Sequence, residues 1–198
     1  RATLKILDNL SWDNFISSQK SDWEEGSYKT SYYPTIIGVG GEAEIANGRY
    51  NNSQFESVVN YRTAVNEHNI QAVAGYSYQE FEQNSSYAGN SDFDTDIFLY
   101  NNIAAGSYFK EGKGELGSYK ESSTLIALFG RVMYNFDEKY LASVSLRREG
   151  SSKFGDNNKW GWFPAVSLGW RLTEESFLED ASWIDDLKFR VGYGVTGN

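Results

Sequence analysis

Hydrophobic and polar residues alternate along most of the chain with a period of two residues. Near the C-terminus the apolar positions are Leu187, Phe189, Val191, Tyr193 and Val195, and the residues between them are charged, small or polar. An α-helix would mix these two sets because its period is 3.6 residues, whereas a strand with one covered face separates them. The pattern therefore predicts a strand with one apolar face.

Six further segments show the same alternation with more irregularities. The seven segments together are residues 3–15, 50–64, 70–82, 123–136, 140–148, 161–172 and 187–196. They predict an all-β, antiparallel fold of about seven strands. A short helical turn is predicted only for residues 182–187, with Ser182 as its N-terminal cap.

The connections between the predicted strands differ in length in a regular way. Residues 65–69 and 137–139 are short turns, whereas 17–42, 83–121 and 149–160 are long and rich in Gly, Ser, Asn and charge. Strands of about 9–12 residues, with short turns at one end and long loops at the other, are typical of a transmembrane β-barrel of the outer membrane. We therefore expect a segment of such a barrel.

Aromatic residues flank the ends of several predicted strands. Tyr134, Phe136 and Tyr140 surround a short turn, and Trp160 and Trp162 open another strand beside a long loop. Aromatic side chains concentrate where a membrane protein meets lipid headgroups. This distribution favours a barrel over a soluble, carbohydrate-binding β-domain, which would also alternate. An odd number of strands and two bare sheet edges would indicate a piece of a longer chain.

Composition excludes several classes of function. The 198 residues contain no cysteine and one histidine, His68, which excludes a disulfide scaffold, a Cys/His zinc site and a thiol nucleophile. With 18 basic and 27 acidic residues, the formal charge of −9 argues against a nucleic-acid partner, because phosphate contacts need a basic patch. We expect no enzymatic activity, and His68 is predicted to lie on the surface without a partner.

One acidic segment resembles the start of a calcium-binding loop. Asp92, Asp94 and Asp96 alternate there, but Ile97 and Ile103 occupy the positions where an EF-hand needs Gly and Glu. The segment is therefore not an EF-hand. We expect no cofactor, and a looser calcium site at the three aspartates is the one exception left open.

Residues 128–198 resemble the SusC/RagA family of TonB-dependent (TonB-linked) outer-membrane transporters of Bacteroidota. The motifs that carry the resemblance occur in family order: Phe129-Gly130-Arg131, Asp137-Glu138-Lys139-Tyr140-Leu141, Arg147-Arg148-Glu149-Gly150-Ser151-Ser152-Lys153-Phe154-Gly155, Trp160-Gly161-Trp162-Phe163-Pro164-Ala165-Val166-Ser167 and Tyr193-Gly194-Val195-Thr196-Gly197-Asn198. The third motif resembles a family loop signature, with conservative departures at Glu149 and Lys153. Residues 1–124 match the family only in pattern.

The resemblance implies an architecture and a mechanism. Such transporters are 22-stranded barrels in the outer membrane of Gram-negative bacteria, and an N-terminal plug fills the lumen. A SusD-like surface lipoprotein acts as a lid, and TonB acts through the plug to admit oligosaccharide or peptide cargo. Residues 1–198 would then be a partial barrel domain, with the plug and the remaining strands outside this chain and lipid against the outward face. A SusC-like barrel serving as a structural scaffold in an outer-membrane assembly or export complex is the alternative.

Two groups of residues are candidates for contacts with cargo, plug or lid. The aromatic group lies in the long predicted loops, where aromatic faces can stack on sugars or pack against proteins: Trp23, Tyr28, Tyr32, Tyr33, Tyr87 and Tyr108. The second group is the family loop motif: Arg147, Arg148, Glu149, Gly150, Ser151 and Ser152. Alternation directs Arg147 and Glu149 toward the lumen. A structural turn with an unusual backbone angle at Gly150 is the simpler interpretation of this motif.

Overall fold

The computed structural model describes residues 1–178 and 183–197. These residues form eight strands in one sheet, ordered as in the chain. The strands are β1 (Ala2–Leu7), β2 (Leu10–Lys29), β3 (Glu42–Val65), β4 (His68–Ser91), β5 (Glu115–Phe136), β6 (Tyr140–Ser151), β7 (Trp160–Arg171) and β8 (Lys188–Gly194). Short 3₁₀ segments occupy Leu99–Ala105, Leu172–Glu174 and Ser176–Leu178. No helix in this part of the chain is long and apolar enough to span a bilayer.

The all-β, antiparallel prediction is confirmed, but the strand count is one too low. The predicted strand at 3–15 is a hairpin of β1 and the start of β2, which turns at Asp8 and Asn9. A register shift between Lys5 and Leu7 places Leu4 opposite Trp12. The apolar alternation therefore continues in phase across the turn and hides the break. The expected odd number of strands is therefore wrong, because the sheet has eight.

Strands β2 to β5 are considerably longer than the hydrophobic segments that predict them. They contain 20, 24, 24 and 22 residues, so much of the predicted loops 17–42 and 83–121 is strand. The connections that remain are residues 30–41 and 92–114. Residues 18–29 are almost entirely polar on both faces of β2, so they give no apolar alternation from which a strand could be predicted.

The chain divides into two compact units. The first contains residues 1–17, 53–80 and 123–198, and the second contains residues 18–52 and 81–122. The family-like motifs belong to the first unit. The six candidate aromatic residues all belong to the second.

One face of the first unit is apolar and exposed, and we call it the apolar face. At its centre the antiparallel register aligns Val132, Val144, Val166 and Tyr193. All four are exposed, Val144 to 58 %. In the described residues the buried hydrophobic side chains are only Ile36, Ala43, Phe93 and Ala127. A contiguous exposed apolar surface of this kind marks contact with a membrane or a partner.

Aromatic residues border the apolar face at two levels. At the end of the short turns the register aligns Phe136, Tyr140, Trp170 and Phe189. At the other end Trp160 and Trp162 are exposed, and Trp162 pairs with Arg148. The eight-residue step from Tyr140 to Arg148 spans roughly 27 Å along the strand. With a strand tilt of about 40°, this corresponds to about 20 Å across a membrane, close to the ~25 Å apolar band of outer-membrane barrels.

The opposite face of the first unit, the polar face, carries mostly small and polar side chains, together with the larger apolar residues Phe129, Met133, Leu141 and Phe163. Ser143 pairs with Ser167, their hydroxyl oxygens are 2.8 Å apart, and Gly192 continues the row. Arg131 lies beside Ser145 in the next row. The predicted division of β5 to β8 into two chemically different faces is therefore confirmed.

The turn between β5 and β6 is a tight hairpin. Asp137 and Glu138 both have positive φ, at 52° and 53°, and the Lys139 amide donates to the Phe136 carbonyl at 3.0 Å. Two central residues with positive φ are characteristic of a type I′ turn, whose twist matches that of the paired strands. This turn fixes the register that aligns the two faces.

Two local predictions from the sequence concern His68 and the segment 182–187. The expectation that His68 has no partner is wrong, because its Nδ1 lies 2.7 Å from the Tyr134 hydroxyl and its ring packs 4.8 Å from that of Phe136. These partners are distant in sequence, so the local pattern gave no sign of them. The predicted cap Ser182 lies outside the described residues, and residues 183–187 form a turn and bend without helix.

Candidate functional site

A recess of about 530 Å³ lies on the polar face of the first unit. Arg131 on β5 and Lys188 and Arg190 on β8 line it, together with Ser143 and Ser167 from the strands between them. The antiparallel register brings these side chains to one face because each occupies a polar position of the alternation. Glu138 also lines the recess, so its charged lining is three cations and one carboxylate, and its net charge is positive.

The three cations of the recess have no acidic partner among the described residues. By contrast, Arg171 lies 3.6 Å from Glu138 and 3.8 Å from Asp186, and Lys139 lies 3.5 Å from Asp137. None of the described carboxylates comes within 4 Å of the charged nitrogens of Arg131, Lys188 or Arg190. Arg131 and Arg190 are exposed and Lys188 is half-buried, so the three charges are open to an anion.

Glu175 fixes the connection that follows β7. Its Oε1 accepts hydrogen bonds from the Tyr140 hydroxyl at 2.7 Å and from Trp170 Nε1 at 3.0 Å. The hydrogen bond from Tyr140, followed by that from Trp170, holds the pKa of Glu175 below its ordinary value. The carboxylate therefore anchors two rings of the aromatic border at the short-turn end.

The family motif begins inside a strand and not in a loop, because β6 continues to Ser151. Arg147 and Glu149 lie on the polar face, as the alternation predicts, and form an ion pair with each other. The Arg147 guanidinium also lies 5.7 Å from the centre of the Phe129 ring. After the strand, Ser152 Oγ accepts a hydrogen bond from the Thr124 amide at 2.8 Å. This part of the motif is internally paired.

The expected unusual backbone angle at Gly150 is wrong. Positive φ among the described glycines occurs at Gly38, Gly40 and Gly112, whereas Gly150 is an ordinary strand residue opposite Trp160. A Cβ at Gly150 would lie 2.8 Å from the Trp160 ring. The glycine is therefore needed for close approach of an indole. Sequence alone did not reveal this reason, because it depends on the β6–β7 register.

The six candidate aromatic residues lie in three kinds of position. Trp23 and Tyr28 are in β2 and Tyr87 is in β4, whereas Tyr32, Tyr33 and Tyr108 are in connections. None of the six rings contacts another of the six in the described part of the chain. The prediction that all lie in loops is therefore wrong for three, and the structure does not bring them together as one site.

Two of these rings lie against glycines. A Cβ on Gly48 would lie 2.6 Å from Trp23 Nε1, and a Cβ on Gly117 would collide with the Tyr87 ring. Trp23 is nevertheless 43 % exposed and Tyr87 45 % exposed. Each glycine lets one ring face lie on the sheet while the side chain stays open to solvent. Such supported rings are suitable surfaces for stacking sugars or peptide groups.

Asp96 is the centre of a hydrogen-bonded cluster in the second unit. Its carboxylate accepts hydrogen bonds from the Tyr28 hydroxyl at 2.7 Å and from the Ser31 amide and hydroxyl at 3.3 Å each. Burial, reinforced by the hydrogen bond to Asp96, raises the pKa of Tyr28 to about 12. The Tyr28 hydrogen bond lowers the pKa of Asp96. The cluster ties the end of β2 to the connection 92–114.

The same connection is held by Asn90, which is 2 % exposed. Its Nδ2 donates to the carbonyls of Ile103 and Gly106 at 2.7 and 2.8 Å, and its Oδ1 accepts from the Phe109 amide at 3.1 Å. A buried amide that is satisfied on both sides fixes a loop. The sequence gives no sign of this role, because the partners of Asn90 follow it at distances that match no motif.

The looser calcium site at Asp92, Asp94 and Asp96 stays a prediction. No group of three or more acidic, His or Cys side chains that could hold a metal occurs within residues 1–178 and 183–197. Asp92 is hydrogen-bonded to Ser107, and Asp96 is bound to Tyr28 and Ser31. Hydroxyl and amide donors of the chain therefore bind two of the three aspartates.

The Asp96 cluster predicts a pH-dependent loop. Because the pKa of Asp96 is lowered in the folded state, the stability that this carboxylate contributes is present above the ordinary Asp pKa of about 3.9 and is lost as pH falls through the lowered value. In the full-length protein, hydrogen-exchange protection of residues 93–105 is expected to fall over that acidic interval. Asp96→Asn should abolish this pH dependence, whereas Asp94→Asn should preserve it. An unchanged transition in Asp96→Asn would contradict the assignment.

Comparison with known proteins agrees with the two-faced sheet. A family model described as TonB dependent receptor-like, beta-barrel, matches residues 1–198. TonB-dependent receptor P3 of Formosa agariphila is 32 % identical over 197 residues, which are 100 % of this chain and 19 % of the relative. TonB-dependent receptor SusC of Bacteroides thetaiotaomicron is 35 % identical over 135 residues, which are 61 % of this chain and 14 % of the relative.

Solved structures show the same fold. The chain superposes on a chain in the structure of the RagAB peptide transporter with a TM-score of 0.86 and 22 % sequence identity. The superposition covers 99 % of this chain and 22 % of the transporter chain. The RagAB peptide importer in its open-open state gives a TM-score of 0.87 at 23 % identity. The chain spans about a fifth of the length of the curated relative that it matches end to end. With its two-faced antiparallel sheet and a family match along all 198 residues, the chain belongs to the TonB-dependent receptor-like β-barrel family, and its relatives include SusC.

Proposed function

We propose that this chain is a stretch of barrel wall in a TonB-dependent importer of the outer membrane of a Gram-negative bacterium. The observation that carries the proposal is the division of β5 to β8 into an apolar face with aromatic borders and a polar face with small residues and cations. In a membrane barrel the first face meets lipid and the second meets the lumen. The short turns would then face the periplasm, and the longer connections the exterior.

In this proposal, Arg131, Lys188 and Arg190 bind carboxylates of the segment that plugs the lumen. Two observations support this role: the cations share one recess, and they lack acidic partners among the described residues. Charge-assisted hydrogen bonds to a carboxylate would hold such a segment in register against the wall. When TonB pulls on the plug, these bonds would break and reform without any covalent chemistry in this chain.

We further propose that the full transporter takes oligosaccharide or peptide cargo and works with a SusD-like lipoprotein lid. Trp23 and Tyr87 offer supported ring faces for stacking such cargo. Tyr32 is 86 % exposed in the connection 30–41, and Tyr33 beside it is 48 % exposed. Exposed tyrosines of this kind suit a protein interface because they combine a large apolar area with a hydroxyl.

The proposal is tested by deleting the gene for the full-length protein and measuring growth on separate oligosaccharides and peptides. We expect loss of growth on at least one cargo class, with restoration by the wild-type gene only in cells that contain functional TonB. A lipoprotein of SusD type should co-purify with the restored protein in mild detergent. Normal growth on every cargo, combined with co-purification of assembly or export components, would contradict import and favour the scaffold alternative.

A further inference from the structure

The apolar face of the first unit carries one feature that barrel formation does not explain. Arg148 projects from this face, in register with Leu128 on β5 and Trp162 on β7. Its guanidinium carbon lies 4.8 Å from the centre of the Trp160 ring and 5.3 Å from that of Trp162. Two indole rings therefore hold a cation at one aromatic border of the apolar face.

No acidic side chain of the described residues forms an ion pair with the Arg148 guanidinium, and the neighbouring Glu149 is bound to Arg147 on the polar face. The side chain is exposed, so its hydrogen-bond donors are open to a ligand from outside the chain. A planar guanidinium stacked on aromatic rings is well suited to recognise a phosphate group.

An apolar groove of about 430 Å³ lies next to this cation on the apolar face. Ala72, Ala74 and Gly130 are the small residues in its lining, and larger side chains such as Val59 and Leu146 surround them. Leu146 precedes Arg148 by two residues on the same face, which places the two about 7 Å apart along the strand. The groove therefore begins one same-face position away from Arg148.

We propose that Arg148 and this groove form a binding site for a phosphate-bearing lipid of the outer leaflet. The headgroup phosphate binds the guanidinium, and an acyl chain lies in the groove. The cation and the apolar groove match the two parts of such a lipid, and the Trp residues set the headgroup level. The site rests on the proposed membrane position of this wall, which puts Arg148 at the end opposite the short turns.

The test uses the full-length transporter, purified from outer membranes in mild detergent, and phosphorylated lipid A as the probe. Native mass spectrometry measures the bound lipid. Arg148→Gln is expected to lower lipid affinity about tenfold, since charged hydrogen bonds have effects of this size. Arg190→Gln removes the same charge from the polar face and should leave lipid binding unchanged. Removing the phosphates from lipid A should weaken its binding to the wild-type protein. The loss of affinity should be about as large as the loss that Arg148→Gln causes for phosphorylated lipid A.

Gly130→Leu tests the groove without altering the cation. A Cβ at Gly130 would meet only the Val73 carbonyl oxygen, at 3.6 Å, so the backbone can accept a side chain there. We expect this variant to fold, as judged by its heat-modifiable mobility, and to lose lipid binding. Equal lipid binding by wild type and Arg148→Gln would overturn the proposal, as would equal losses in Arg148→Gln and Arg190→Gln. If inorganic phosphate binds at Arg148 and Gly130→Leu retains full lipid affinity, the lipid assignment is overturned.

This experiment separates the failure of the site from the failure of the proposed function. Absence of the wild-type protein from the outer-membrane fraction would contradict the proposed membrane position, and with it the proposed function. Presence of the protein in that fraction, with lipid binding that does not depend on Arg148, would overturn the lipid site alone. Loss of cargo uptake plays no part in the measurement.

Discussion

Replacing Val144 by Arg is expected to destabilise the folded barrel by about 2–4 kcal/mol, the cost measured for basic residues at the middle of the lipid-facing surface of outer-membrane barrels. Val144 lies in the central row of the apolar face, between Val132 and Val166, and is 58 % exposed. A guanidinium there would have to leave water for hydrocarbon. Reversible urea unfolding of the full-length protein in lipid vesicles measures the change.

Ser143→Arg is the matched control, because it adds the same side chain one residue earlier on the polar face. Ser143 lines the basic recess, where the longer side chain can remain hydrated. We expect its cost to stay below about 1 kcal/mol, the size of a screened repulsion between surface charges. Equal destabilisation by the two substitutions would show that the faces are assigned incorrectly.

Reversing the charge of the recess is expected to lower cargo import at least about tenfold. The double substitution Arg131→Glu with Arg190→Glu would place carboxylates against the acidic groups that we propose come from the lumen segment. Juxtaposed like charges cost several kcal/mol at an interface, so that segment would no longer seat against the wall. Uptake of labelled cargo by cells with equal amounts of transporter measures the effect.

Replacement of the same two arginines by lysine provides the control for this experiment. Lysine keeps the positive charge but loses the planar pair of donors, so we expect import within about threefold of wild type. Import at the wild-type rate by the charge-reversed protein, present in the outer membrane in normal amount, would refute docking at the recess.

The sequence predicts the apolar face well because lipid imposes a strict pattern on each strand. From Tyr140 to Leu146, every second residue must be compatible with hydrocarbon, and the residues between them need not be. The same reasoning assigned Arg147 and Glu149 to the polar face, where the structure pairs them. The basic recess was not predicted, since it requires knowledge that Arg131 on β5 and Arg190 on β8 line the same recess.

The pattern fails where both faces of a strand meet water. Residues 18–29 of β2 are almost entirely polar on both sides, so strand structure there depends on backbone pairing with neighbours instead of on a local signal. The same limit applies to Asp96 and Asn90, whose roles come from partners brought close by the fold. The role of a glycine such as Gly150 is equally hard to read from the sequence, because a turn and a close contact with a ring can both require glycine.

The most direct test of the central claim is a spin-label scan of β6 from residue 141 to 148. Single cysteines are introduced into a cysteine-free version of the full-length protein, which is then labelled and reconstituted in lipid vesicles. The account predicts that collisions with oxygen peak at positions 142, 144 and 146, whereas collisions with a water-soluble nickel complex peak at 143, 145 and 147. Absence of this two-residue alternation, or water exposure at position 144, would contradict a barrel wall with lipid on one side and lumen on the other.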